Sequence, residues 1–155
     1  MEIDKNAPAV SHAEIEVAAS PEIVWAVLTD IGHWPSWNPE VKQASLSGPF
    51  APGVQFRWKA GPGTITSTLE SVEPPKVIAW TGKTVGIKAI HVYRLEPQGN
   101  NTIVKSGESW DGLIVRLFRG PMTKTLQKST ESGLRYLKTE AERRAAKDHS
   151  FLEPG

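Results

Sequence analysis

A chain of 155 residues with formal net charge +1 has the length of one domain with a core of its own, and its near-balanced charge is a poor nucleic-acid footprint. Hydrophobic residues at 39% and charged residues at 23% fit a globular chain rather than a disordered one. With no cysteine, disulfides, thiolate catalysis and cysteine-bound metal are excluded.

The opening MEIDKNAPAV is acidic and lacks an apolar run. No segment approaches the roughly 18 apolar residues of a membrane span, so the chain reads as cytoplasmic. Residues 1–9 are expected as a flexible arm, 10–145 as a single domain and 146–155 as a flexible tail. His12 to Ala18 alternates as a strand, with Ala13, Ile15 and Val17 on one face. Ser20-Pro21-Glu22 then starts a short helix, combining an N-cap serine, a first-turn proline and an acid at the positive end. The next stretch, DIGHWPSWNPEV, holds two of the six tryptophans. Pro35 and Pro39 exclude a long helix or a central strand there, leaving a tight, partly helical corner.

From Val41 onward, short alternating runs are separated by turn residues at Gly48-Pro49, Gly61-Pro62-Gly63, Pro74-Pro75, Gly82 and Pro97–Asn100. This spacing predicts six strands in an antiparallel meander. After Gly112 comes the apolar stretch LIVRLF, and then Met122, Leu126, Thr130, Gly133, Leu134, Leu137 and Ala141 mark one face of a long helix. That helix, over 121–144, is the only element able to cover the apolar face of the sheet.

The stretches VAASPEIVWAVLTD, HWPSWNP, VIAWTG, HVYRLEP…NNTIVKSGESWDG and LRYLKTEAERR resemble the polyketide cyclase/dehydrase-like branch of the START-related (SRPBCC) superfamily, over about residues 11–144. The resemblance implies an α+β helix-grip fold, in which a curved antiparallel sheet wraps a long C-terminal helix and two short helices follow the first strand. It also implies a cavity between sheet and helix. Because the superfamily includes carriers, receptors and cyclases, the resemblance specifies the fold more than the activity. It places the Trp34–Trp37 corner beside one end of the cavity. One ring would pack under the helices and the other would edge the cavity, so that the pair serves either as two structural wedges or with Trp37 as a ligand lid, while His33 is expected as an exposed corner residue.

Strand alternation assigns the inward side chains. These are Phe56 and Trp58, then Ser67 with Leu69, Trp80, His91 with Tyr93, and Ser106, Glu108 and Trp110. The short turn at Pro97–Asn100 sets His91 opposite Ser106 or Glu108, with Glu108 in reach of His91 in either register. The rings either line a cavity or fill a solid core, and the resemblance favours the cavity. Thr130 and Gly133 add a stretch of small residues to the covering helix, consistent with ligand volume or close helix–sheet packing.

The chain has no phosphate-loop spacing, no HExxH and no serine-nucleophile signature, and its histidines (His12, His33, His91, His149) are scattered. No metal or cofactor is expected. The leading expectation is a module that binds a small, largely apolar molecule through Trp37, Phe56, Trp58, Ser67, Trp80, His91, Tyr93, Glu108, Trp110, Thr130 and Gly133. A cyclase, dehydrase or hydrolase using His91, Tyr93 and Glu108, with Arg94 or Asp111 as further candidates, is the alternative. A third class is an interaction module in which LIVRLF meets a membrane or a protein partner.

Overall fold

Alternating apolar residues make each strand one-sided, and the computed structural model, which describes residues 1–152, joins them into one antiparallel sheet of seven strands. In chain order the elements are β1 (Ala9–Val17), α1 (Pro21–Thr29), a 3-10 turn (Ile31–His33), α2 (Trp34–Trp37), β2 (Val41–Leu46) and β3 (Gln55–Ala60). They continue with β4 (Gly63–Glu73), β5 (Val77–Thr84), β6 (Ile87–Gln98), β7 (Asn101–Asp111), α3 (Leu113–Leu117) and α4 (Arg119–Leu152). The spatial order β1-β7-β6-β5-β4-β3-β2 is a meander with β1 returned beside the last strand. This is the helix-grip architecture expected from the sequence.

The local signals behave as their chemistry requires. Ser20 caps α1 by accepting from Ile23 N–H at 3.3 Å, with Pro21 in the first turn. Leu134, Leu137 and Ala141 of α4 share one buried cluster with Phe56, Trp80, Leu95 and Val104 of the sheet. Side chains of α4 also satisfy the open edge of β1 and the residue after it. Gln127 donates to the His12 carbonyl, Lys138 donates to the Glu16 carbonyl, and Ala18 N–H donates to Glu142.

Both ends of the chain make contacts that no sequence pattern signals. Residues 1–8 lie against the sheet. Asp4 N–H donates to Ser109 Oγ at 3.1 Å, the terminal amine to Ser71 Oγ at 3.3 Å, and Arg94 to the Met1 carbonyl at 3.3 Å. The arm lies on the convex face of the sheet, where Val92 and Ser109 are buried. An apolar Val92 pointing away from α4 requires such a cover. At the other end, α4 continues through Leu152 instead of giving way to a tail at 146. Ala145 extends its buried face beyond Ala141, while residues 153–155 of the expected tail lie outside the described residues.

Candidate functional site

Antiparallel pairing aligns the inward side chains in rows across the sheet. One row runs Ser11, Glu108, His91, Trp80, Leu69, and the next runs Ala13, Ser106, Tyr93, Ile78. A neighbouring row runs Ala9, Trp110, Ala89, Gly82, Ser67, Phe56. The inward set read from alternation therefore does share the concave face.

Rings crowd the end of this face nearest α2. Trp34 is 5% exposed, and its ring lies 5.5 Å from Phe56, 5.6 Å from Trp58 and 5.5 Å from Trp80. The Phe56 and Trp58 contacts are edge-to-face, the arrangement aromatic quadrupoles favour. Trp34 Nε1–H donates to the Leu28 carbonyl at 3.0 Å, and Trp58 Nε1–H donates to the buried Ser67 Oγ at 3.1 Å. Phe56, Trp58, Ser67 and Trp80 are thus partnered with one another and with Trp34. Trp37 differs. It is half-buried against the same cluster, and its Nε1–H is the one buried side-chain polar atom without a partner among the described residues. Nearby His33 is exposed and pairs with Asp30 at 2.9 Å.

Beyond Trp80 the interior turns polar. His91 Nδ1 lies 3.2 Å from Glu108 Oε1, and His91 Nε2 lies 2.9 Å from Ser106 Oγ. Trp110 Nε1–H donates to the other Glu108 oxygen at 2.7 Å. Only 11% of the His91 side chain and 15% of the Glu108 side chain remain exposed, so both belong to the interior. The His91 ring stacks on Tyr93 at 4.4 Å and tilts against Trp80 at 4.9 Å.

Burial lowers the pKa of His91, opposed by the nearby Glu108 carboxylate. The ring is therefore neutral at pH 7. With the carboxylate accepting from Nδ1–H, Nε2 is left as the acceptor for the Ser106 hydroxyl. Burial, together with Glu108, raises the pKa of Tyr93, while hydrogen bonding to Ser106 acts the other way. Tyr93 is accordingly a neutral hydroxyl beside Ser106. The geometry gives one polar run, from Tyr93 and Ser106 through His91 to Glu108 and Trp110.

On the facing helix, Thr130 Oγ1 donates to the Leu126 carbonyl at 2.9 Å, so the 2.7 Å contact between Ser11 and Thr130 has Ser11 as donor. Thr130 thereby ties α4 to β1 with its hydroxyl proton already engaged. Gly133 faces the site directly: a Cβ at this position would lie 3.8 Å from Tyr93 Oη.

Two of the sequence candidates fall away. Arg94 points to the convex face and binds the Met1 carbonyl, as its parity opposite to Tyr93 demands. Asp111 leaves the interior to pair with Arg116 at 2.9 Å, and that guanidinium holds its carboxyl below the usual range. Ser106 is the residue the reading undervalued: it stood in the inward set but was not assigned a role. Two open grooves lie elsewhere. One of about 610 Å³ follows the β2 edge past Pro35, Lys42 and Trp58, and one of about 600 Å³ runs beside the N-terminal arm.

Residues 8–142 match the family described as "Polyketide cyclase / dehydrase and lipid transport". No curated protein matches the sequence. Among solved structures, a hypothetical protein from Helicobacter pylori superposes with a TM-score of 0.79 at 14% identity, covering 90% of this chain and 91% of its own. A START superfamily protein from Mycobacterium smegmatis gives 0.75 at 20% identity, over 86% of this chain and 97% of its own. Zhui aromatase/cyclase from Streptomyces sp. R1128 gives 0.74 at 18% identity, over 87% of this chain and 95% of its own. At such identities the likeness concerns the fold.

Proposed function

Because the chain belongs to the polyketide cyclase/dehydrase and lipid transport family, we propose that it binds a small, largely apolar molecule bearing a carbonyl or hydroxyl group, held between the sheet and α4. One observation carries this reading: the His91, Glu108 and Ser106 set, hydrogen-bonded and nearly buried on a face built mainly from apolar side chains. Replacing a buried set of this kind by well-packed apolar side chains is often neutral or stabilising, so stability alone gives the set little purpose. With Ser106 displaced from its present bonds, a ligand hydroxyl would take its place as donor to His91 Nε2 and a ligand carbonyl would accept from Tyr93. The hydrocarbon part would lie along Trp110 and the space in front of Gly133. The unpartnered Trp37 Nε1–H supplies a second polar point for a longer ligand.

A second reading, acid–base chemistry on a bound carbonyl compound, is supported by the state of His91. A neutral imidazole with Glu108 on Nδ1 has a basic Nε2, and a neutral Tyr93 can steady a developing enolate. Such a pair suits cyclisation or dehydration. Acyl transfer through Ser106 is poorly served, although the order Ser106, His91, Glu108 is that of a serine relay. Ser106 sits within β7 between β1 and β6, where the backbone N–H groups are engaged in the ladder and none is left to form an oxyanion hole.

The test is an NMR titration of labelled protein with a panel of phenolic and ketonic polycyclic aromatics, followed by mass analysis of the recovered compounds. Binding requires His91 and Tyr93 side-chain resonances to move with a saturating member, and catalysis also requires a product: one lighter by the mass of water for dehydration, or one of unchanged mass and altered retention for cyclisation. Saturable shifts confined to residues away from the concave face would refute the site.

A further inference from the structure

Four of the five large hydrophobic side chains exposed among the described residues gather at one end of the fold: Val85 at 88%, Leu113 at 71%, Leu117 at 67% and Phe118 at 55%. Their proximity follows from two glycines. Ile114 of α3 lies directly over Gly86, and Gly112 stands against the Gly86 backbone, so any side chain at either position would collide. Helix α3 is thereby pressed onto the β5–β6 turn, and Val85 at the turn tip joins Leu113 and Leu117 in one protruding apolar surface.

The surrounding charge is one-sided. Segments 83–88 and 111–124 contain Lys83, Lys88, Arg116, Arg119 and Lys124 against a single acid, Asp111. Arg116 already engages that acid at 2.9 Å. No ion pair engages Lys83, Arg119 or Lys124 among the described residues.

We propose that this tip docks on the surface of an anionic lipid bilayer. Apolar side chains on a convex turn and a short helix can enter the acyl boundary, while the cations around them meet lipid phosphates. A protein partner would need a complementary concavity and acidic rim, whereas a bilayer conforms to any protruding shape. Binding at the surface is also what the helices allow, since none among the described residues is long and apolar enough to cross a membrane. Behind the tip, Val115, Leu126, Met122 and Trp110 form a separate small cluster, and Trp110 touches Glu108. The docked face is therefore the end of the fold that carries the polar set. The proposal rests on exposure and charge alone and stands whether or not a ligand binds at His91.

Vesicle flotation tests it with the full chain. One set of vesicles is pure phosphatidylcholine and the other equal parts phosphatidylcholine and phosphatidylglycerol. The wild type is expected to float with the anionic vesicles, to stay behind with the neutral ones, and to be released by molar salt. Arg119→Gln with Lys124→Gln should weaken partition by roughly fivefold for each cation lost. Leu117→Glu with Phe118→Glu should abolish it while the circular dichroism spectrum stays that of the wild type. Val85→Asp, at the turn tip and outside the core clusters, serves the same purpose if the α3 variant loses its fold. Absence of wild-type binding to anionic vesicles, or variants that float like wild type, would overturn the proposal. So would a wild-type dimer in sedimentation that Leu117→Glu dissolves, which would assign the tip to a second copy of the chain.

Discussion

The two ends of the concave face are built from similar side chains and end in different states. Beside α2, Trp34 sits among Phe56, Trp58 and Trp80 at centroid distances of 5.5 to 5.6 Å, with its own N–H satisfied by Leu28. Beside α3, Trp110 and Trp80 bracket a polar row in which His91, Glu108 and Ser106 bond to one another. Aromatic residues alone do not make a binding site. Where each ring meets another ring, the interior is structural, and where rings meet titratable groups, it has chemistry to offer.

Truncating the centre of the packed end gives the largest effect on this contrast. Trp34→Ala should cost about 3–5 kcal/mol in urea unfolding, because three rings lose their common neighbour. Leu117→Ala on the exposed helix should stay within about 0.5 kcal/mol of wild type. Comparable losses from both would mean that the α3 end bears core packing of the same kind.

A matched pair sharpens the difference between the two corner tryptophans. Trp34→Phe deletes the hydrogen bond to Leu28, whereas Trp37→Phe deletes an N–H that has no partner. Thermal or urea melts should therefore rank Trp34→Phe below Trp37→Phe by about 1–2 kcal/mol. If Trp37→Phe is the worse variant, its indole N–H has a partner important to stability.

At the polar end the effect is on titration. Burial lowers the pKa of His91 and Glu108 raises it, so Glu108→Gln should move the NMR midpoint of His91 further down. The same depressed folded value fixes the sign of the pH dependence. Stability from neutral His91 is complete above its unfolded value of 6.5. As pH falls from there through the lower folded value, the unfolded chain takes up a proton first and stability declines. An unchanged midpoint in Glu108→Gln would uncouple the pair.

The smallest change has the opposite sign. A methyl at Gly133 meets only Tyr93 Oη, at an ordinary 3.8 Å, so Gly133→Ala should stabilise α4 by up to about 1 kcal/mol in urea unfolding. A net loss of stability would show that the space is already committed to close packing. Gly133→Leu, by filling that space, should displace an apolar probe dye from a protein that still folds.

How much of this was legible in the sequence depends on whether a periodic signal carried it. Strand alternation and the short turn at Pro97–Asn100 placed His91 opposite Ser106 or Glu108, and the register selects Glu108. Parity also set Arg94 outside, so its candidacy ran against the pattern of its own strand. The burial of Val92 and the anchoring of residues 1–8 were hidden, because MEIDKNAPAV has no period and its contacts are single, long-range hydrogen bonds. The two tryptophans of the corner looked alike in sequence. What separates them is that the Trp34 N–H reaches a carbonyl and the Trp37 N–H reaches none, and only the tertiary structure sets that.

The central claim, that the polar end of the concave face holds a small apolar molecule, is tested most directly by native mass spectrometry of protein purified without denaturation. The expected spectrum shows the wild-type chain with a bound small molecule, and the same adduct weakened in a folded Gly133→Leu and in a folded Glu108→Gln. An adduct that persists undiminished in both variants would contradict the claim, as would a wild-type chain that stays bare after incubation with the aromatic panel.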